Sequence, residues 1–238
     1  MKKGFTLAEV LITLGIIGVI AAMTLPTLIQ NYQKQVYANG AKKGLNTITN
    51  LMNKIQADEG VSDFTATTLF NDGVCYLSND PNNWSTDNNC EELYGNPTTI
   101  ERIIPKYIKT VKTCKNKECD IQYTISNFNN NKFTLFPDDK DFLHSIRYNW
   151  STVIGFYSAD GIIYYIYPSQ AGLSFSYDIN GGKGPNVDGR DLFTVSYCRN
   201  GKINYSNSTG VNNSCAGEYS PDNNYLYRLI SNGWKMDY

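Results

Sequence analysis

The most apolar part of the chain lies near its start. Between Phe5 and about Ile29 the chain carries one acidic residue, Glu9, and no further charged residue comes before Lys34. As a helix that rises ~1.5 Å per residue, these roughly 25 residues would span ~37 Å, which exceeds the ~30 Å hydrocarbon core of a bilayer. The pattern therefore predicts a membrane-spanning helix.

Helical periodicity continues beyond this stretch. Apolar residues recur mostly at steps of three and four, the spacing of one face of an amphipathic helix: Leu28, Tyr32, Val36, Leu45, Ile48, Met52 and Ile55. Gly40 and Gly44 weaken the helix by about 1 kcal/mol each relative to alanine. We expect one helix from Phe5 to about Asp58, with its second half packed on a soluble head.

The next segment predicts less regular structure. Residues 59–97 are rich in Asn, Asp and Thr, a composition typical of loops with short turns. Thr98–Val111 then predicts a short helix, because it opens with a Thr-x-x-Glu capping pattern from Thr98 to Glu101. Pro105 interrupts this helix.

Beyond Asp120 the apolar period changes to two, which indicates β-strands. The turn Ser158–Gly161 joins two of these strands into a hairpin. One long helix followed by antiparallel strands predicts an α+β fold. The predicted strands are 121–125, 132–136, 153–157, 162–167, 173–177 and 192–197.

Composition narrows the function classes only modestly. The chain has 238 residues and a formal net charge of -1, so its overall charge provides no field that would attract nucleic acid or anionic lipid. We find no P-loop, no G-x-S-x-G and no H-E-x-x-H motif. The sequence therefore does not predict an enzyme, and no cofactor is required.

The charges that flank the apolar stretch predict its orientation. Lys2 and Lys3 precede it, so the positive-inside rule keeps the start of the chain in the cytoplasm and places the rest outside. A secretory signal has a shorter apolar region, with its small-residue cleavage site after that region. Here the small residue beside the charged leader is Gly4, which precedes the apolar stretch. Cleavage at Gly4 would leave the helix in the mature protein.

The segment Lys3–Ile12 resembles the N-terminus of type IV prepilins and type II secretion pseudopilins. The resemblance implies that a prepilin peptidase cuts after Gly4 and that Phe5 is then N-methylated. It also implies that Glu9 pairs with the terminal amine of a neighbouring subunit during filament assembly. The proline that this superfamily carries inside its apolar helix matches Pro26.

The physical chemistry of Glu9 is consistent with such a role. A charged side chain at the centre of a membrane helix costs about 2.5–3.5 kcal/mol, so it usually has a partner and a function. Cleavage would place the amine of Phe5 about one helical turn from Glu9. The alternative is that Glu9 lies near the membrane interface, where its charge favours the start of the helix through the helix dipole.

The resemblance implies a pilin-like subunit that is not itself an enzyme. Its partners would be the prepilin peptidase, other pilin or pseudopilin subunits, an inner-membrane assembly platform and lipid, with no nucleic acid expected. It would be a single-pass protein of the cytoplasmic membrane with its head in the periplasm or outside the cell, and part of a filament after assembly. The alternative is a membrane-anchored adhesin or binding module that never assembles. The predicted divisions are a leader 1–4, a membrane helix 5–29, its amphipathic continuation 30–58 and an exported head 59–238.

The six cysteines all follow the apolar stretch, on the predicted exported side, where an even number indicates disulfides. Proximity in sequence favours pairing each cysteine with its nearest neighbour, although other pairings stay open. The alternative of a zinc site is weak because His144 is the only histidine and paired C-x₂-C units are absent. The favoured pairs are Cys75–Cys90, Cys114–Cys119 and Cys198–Cys215.

A polar loop, Asp178–Asp191, separates two predicted strands. It holds three acids, two asparagines and four glycines, whose oxygens could converge on a hard cation such as Ca²⁺. It resembles a loop between C-terminal strands of many pseudopilins, and in the major pseudopilin of type II secretion a loop in this region binds calcium. The alternative is a turn in which Asn and Asp cap the backbone and Gly supplies positive φ. The candidate ligands are Asp178, Asn180, Asp188 and Asp191.

Overall fold

The computed structural model describes residues 4, 6–72, 97–115, 118, 124–126, 132–134, 153–169, 172–184, 186–205 and 225–238. The α-helices are α1 (Leu7–Glu59), α2 (Thr68–Asn71), α3 (Pro97–Ile103) and α4 (Tyr225–Ser231). Single 3₁₀ turns lie at Phe64–Ala66 and Ile104–Lys106. The strands are β1 (Thr110–Lys115), β2 (Thr124–Ser126), β3 (Lys132–Thr134), β4 (Ile154–Ser158), β5 (Ile163–Ser169), β6 (Gly172–Asp178), β7 (Leu192–Cys198) and β8 (Ile203–Asn204).

The strands form two antiparallel sheets. The larger sheet has six strands in the order β1-β4-β5-β6-β7-β8, and β2 and β3 pair separately. The predicted hairpin is confirmed: Ser158 N donates to Ile162 O at 2.9 Å, and Gly161 N donates to Ser158 O at 3.0 Å. A long helix followed by an antiparallel sheet confirms the α+β class.

The second half of α1 covers one face of the larger sheet. Its buried side chains recur at helical spacing and share one cluster with apolar residues of the sheet, α2, α3 and α4. On α1 they are Ala38, Ala41, Leu45, Ile48, Leu51, Met52 and Ile55. Within the predicted apolar stripe, Leu28, Tyr32 and Val36 are instead exposed, because α1 is buried against the head only from Ala38 onward.

Helix α1 approaches the sheet closely at Gly44. The ring of Tyr177, in β6, lies directly over Gly44, and a Cβ atom built there would overlap that ring. The hydroxyl of Tyr177 donates to the backbone oxygen of Ala41 at 3.0 Å. A residue that weakens the helix as an isolated element is therefore required where the helix meets the sheet.

Two predictions for the middle of the chain need correction. Residues 59–97 are more ordered than a loop with short turns where the structure describes them: Thr68–Asn71 is an α-helix, and Phe64, Leu69 and Phe70 are buried in the core. The helix predicted over 98–111 ends early: it becomes a 3₁₀ turn around Pro105, and Thr110–Lys115 is strand β1.

The reason for the second correction is tertiary. The sequence Thr-Val-Lys-Thr-Cys-Lys of β1 shows little apolar alternation, and Val111 is 74% exposed. Its strand conformation comes from backbone pairing with β4, which the local pattern could not reveal.

Gly44→Ala should destabilise the head although alanine is the better helix former. The propensity gain is about 1 kcal/mol, whereas forcing a methyl group against a packed ring costs about 1–3 kcal/mol. We expect a net loss of up to about 2 kcal/mol in the free energy of unfolding, measured by urea denaturation of the full chain in detergent. Gly18→Ala is the matched control, because nothing lies within 4 Å of a Cβ atom at Gly18. Equal stability of the two variants would contradict the packing argument.

Candidate functional site

At the start of α1, the side chains of Thr6 and Glu9 each accept a hydrogen bond from the backbone N–H of the other residue. Thr6 is the N-cap, and its hydroxyl accepts a hydrogen bond from Glu9 N at 3.3 Å. In return Glu9 Oε2 accepts from Thr6 N and from the Thr6 hydroxyl, each at 2.8 Å. This capping box satisfies backbone donors that the first helical turn leaves unpaired. Glu9 therefore defines where the helix begins.

The predicted cleavage point lies between Gly4 and Phe5. Gly4 is exposed, and nothing lies within 4 Å of a Cβ atom built on it. The backbone at Gly4 is therefore sterically accessible to a processing enzyme. Phe5 lies outside the described residues.

The N-terminal half of α1 presents an uncovered apolar surface. Its large apolar side chains from Leu7 to Ile29 are between 44% and 80% exposed. No residue of its most apolar stretch is buried, and the helix is long and apolar enough to cross a membrane. Pro26 lies inside α1 without ending it. A surface of this kind needs lipid or other protein to cover it.

Asp178 organises the first half of the loop between β6 and β7. Its side chain is fully buried and accepts hydrogen bonds from the backbone of three residues that follow it. The distances are 3.0 Å from Asn180 N, 3.1 Å from Gly181 N and 2.8 Å from Gly182 N. Gly181 and Gly182 both have positive φ. This is the capped turn that the sequence offered as an alternative.

Asp191 organises the second half in the same way. Its carboxylate accepts from Asn186 N at 2.8 Å, from Val187 N, and from Asn180 Nδ2 at 2.9 Å. Burial raises the pKa of Asp191 above its usual value, and the nearby Asp178 raises it further, whereas these hydrogen bonds oppose the shift. The two acids and Asn180 thus form one connected hydrogen-bonded network.

Two amide oxygens of this loop bear on the calcium hypothesis. The Oδ1 atoms of Asn180 and Asn186 are buried and accept no hydrogen bond from the residues that the structure describes. Asp188 is also buried. Nevertheless, the described residues contain no group of three His, Cys, Asp or Glu side chains placed to hold a metal ion. The unpaired oxygens fit a cation, but most acceptor positions of Asp178 and Asp191 are already used by the backbone.

The structure describes two of the six cysteines. Cys114, in β1, and Cys198, at the end of β7, are buried, and neither is a free thiol. No disulfide is seen between them. Their predicted partners Cys119 and Cys215, like Cys75 and Cys90, lie outside the described residues. The three pairs therefore stay predictions.

Sequence reasoning missed one residue of the N-terminal site. Thr6 is the cap of α1, and the signal was the Thr-x-x-Glu pattern formed by Thr6 and Glu9. The same pattern was instead noted at Thr98, which lies inside α3 rather than at its cap.

Comparison with known protein families identifies a motif at the start of the chain. Residues 1–25 match the prokaryotic N-terminal methylation motif, the segment at which prepilin-type proteins are cleaved and methylated. No curated protein and no solved structure matches the chain.

Proposed function

We propose that this chain, which opens with a prokaryotic N-terminal methylation motif, is a structural subunit of a type IV pilus-like or type II secretion filament. It is stored in the cytoplasmic membrane, cut after Gly4 by the prepilin peptidase, and assembled through α1. Its partners are then other pilin or pseudopilin subunits and the inner-membrane assembly platform. Proteins with this motif and a pilin-like fold are typically structural rather than enzymatic.

The observation that carries the proposal is the division of α1. One uninterrupted helix is packed in a water-soluble head from Ala38 onward and is apolar and uncovered from Leu7 to Ile29. A bilayer covers the apolar half before assembly, and the helices of neighbouring subunits cover it afterwards. A rigid connection between the two halves lets the assembly machinery move the head and the membrane helix together.

Pairing of Glu9 with a charge on a neighbouring subunit would align the subunits as the filament assembles. The Glu9 carboxylate lies in the first turn of an otherwise apolar segment. After cleavage, the new terminal amine of a neighbouring subunit would be a cation that lies at about the same depth in the membrane as Glu9. Pairing the two charges offsets the cost of holding each in an apolar filament core.

The competing function is a membrane-anchored adhesin or binding module that never assembles. It would use the same apolar helix as a simple anchor, and the head could be identical. It would not require either a processed N-terminus or a charge inside the anchor. The two functions are therefore separated by variants at Gly4 and Glu9.

Gly4→Glu should abolish processing. Coexpressed with a prepilin peptidase, the wild-type chain should begin at N-methylated Phe5, whereas the variant should keep Met1. The substitution is sterically tolerated, since nothing lies within 4 Å of a Cβ atom at Gly4. Intact mass and N-terminal sequencing decide the outcome. A wild-type chain that keeps Met1, or is cut after the apolar stretch, would rule out the prepilin assignment and favour the anchored module.

Glu9→Gln should leave cleavage intact and reduce filament incorporation by roughly tenfold or more, because an unpaired buried cation costs about 3–5 kcal/mol. The measurement is the ratio of subunit in sheared filaments to subunit in membranes. Glu101→Gln, at an exposed position of α3, is the matched control. Undiminished incorporation of the Glu9 variant would remove the charge-pairing step from the mechanism.

We further propose that the loop 178–191 binds Ca²⁺, with Asn180 and Asn186 supplying their unpaired oxygens beside Asp178, Asp188 and Asp191. Binding to the folded state would compensate three buried acids that lie in one loop. The carboxylates must then rearrange in part, since Asp178 and Asp191 already accept backbone hydrogen bonds.

Calcium at millimolar concentration should raise the Tm of the wild-type chain by about 3–10 °C if the site has the affinity of extracellular calcium modules. Magnesium should raise the Tm less, because Mg²⁺ keeps several of its water ligands and therefore takes fewer ligands from the protein. Asn186→Ala should lose the response, and Lys183→Ala, an exposed change in the same loop, should keep it. An unchanged Tm in the wild type would leave the loop as a capped turn.

A further inference from the structure

A surface cleft of about 290 Å³ lies beside α1 where the helix meets the head. The helix forms one wall, and the β6–β7 loop and the C-terminal segment form the other. The residues that matter for its chemistry are Gln30, Gln33, Lys34 and Tyr37 on α1, with Arg190 and Tyr238 opposite. Its volume is at the lower end of the range of small-molecule sites.

The position of the cleft along α1 fixes its depth relative to a membrane. Lys34 lies five residues beyond Ile29, which corresponds to about 7.5 Å along the helix. The headgroup layer on each side of a bilayer is about 5–7.5 Å thick. When the apolar half of α1 spans the bilayer, the cleft therefore lies at the level of the lipid headgroups. Tyr32 and Tyr37 are of the residue type that concentrates at that level.

The accessible charge of the cleft is positive. Lys34 and Arg190 both line it, and neither takes part in an ion pair within the described part of the chain. The guanidinium of Arg190 lies 5.5 Å from the ring centre of Tyr37. Such stacking orients the guanidinium while leaving its edge able to donate hydrogen bonds.

The side-chain carboxylates near the cleft do not cancel this charge at the surface. Asp178, Asp188 and Asp191 belong to the same loop as Arg190, but each is at most 2% exposed. Asp237, in the C-terminal segment, pairs with Arg228 at 2.9 Å. The fold thus turns the carboxylates of the loop inward and leaves two half-buried cations lining the cleft, although the whole chain has a net charge of -1.

We propose that this cleft binds the headgroup of an anionic phospholipid in the leaflet on the exported side, while the subunit is stored in the membrane. The guanidinium of Arg190 would donate paired hydrogen bonds to the phosphate, and Lys34 would contribute a second positive charge. The amides of Gln30 and Gln33 would donate to the remaining headgroup oxygens. The inference rests on the proposed membrane storage of α1.

The head would then be held against the membrane until assembly. Because the lipid stays in the bilayer, the cleft must release it when the subunit is extracted. The headgroup is accordingly a ligand of the stored subunit and not of the filament.

The test uses the full chain in lipid nanodiscs that contain phosphatidylcholine alone or mixed with phosphatidylglycerol. Native mass spectrometry counts the lipids that stay bound, and hydrogen exchange follows residues 186–190 and 232–238. In the mixed discs we expect phosphatidylglycerol to be retained preferentially and both segments to exchange more slowly. The double variant Lys34→Gln, Arg190→Gln should lose this preference by a factor on the order of ten.

A second double variant controls for general electrostatics. Lys54→Gln, Arg102→Gln removes the same charge from exposed positions, one of them on α1 about 30 Å further along the helix. It should keep the wild-type preference. An equal loss in both double variants, or no preference in the wild type, would overturn the proposal.

Two other outcomes also count against the cleft as a lipid site. Inorganic phosphate that slows exchange as well as phosphatidylglycerol does would indicate a simple anion site. A cleft variant with normal lipid retention but reduced filament incorporation would assign the cleft to a neighbouring subunit. Insertion into nanodiscs and cleavage after Gly4 are measured on the same samples. A chain that inserts and is cut but shows no lipid preference refutes this inference alone, whereas a chain that does neither refutes the proposed function.

Discussion

The whole structure depends on one helix that must satisfy two different surroundings. From Leu7 to Ile29 α1 is left uncovered by the part of the chain that the structure describes, and from Ala38 onward it is part of the core of the head. The head packs closely against the helix because Gly44 has no side chain and the ring of Tyr177 can approach the helix backbone. Between the two regions lies a segment of about eight residues, which would lie at the depth of a membrane surface if the apolar half spanned a bilayer as proposed.

The loop between β6 and β7 shows how a fold can place charge. Its three acids are buried, and two of them, Asp178 and Asp191, accept hydrogen bonds from backbone amides; those to Asp178 stabilise a turn that contains two consecutive glycines with positive φ. The same inward arrangement leaves Arg190 as the charged side chain of the loop that lines a cleft together with Lys34 of α1. One local requirement, the satisfaction of buried backbone donors, therefore determines both the candidate calcium ligands and the positive cleft.

Much of the fold followed from periodicity. The long helix was predicted from Phe5 to about Asp58 and observed as Leu7–Glu59, because its apolar spacing is strong over many turns. The strands from β4 to β7 were predicted within about two residues of their observed ends, since each alternates or is continuously apolar. Strand β1 was missed because its residues favour no structure strongly and its partner β4 lies about 40 residues further along the chain.

The sequence by itself indicated the long apolar helix, the N-terminal methylation motif with its candidate cleavage point at Gly4, and Glu9 as the acid within the apolar stretch, because all of these are features of consecutive residues. The tertiary structure alone decided that burial of α1 starts at Ala38 and that Leu28, Tyr32 and Val36 stay outside the head. It also decided that Lys34 and Arg190 share a cleft. Residues so distant in sequence meet only after the sheet forms, and a sum of charges along the chain cannot show which of them end at the surface.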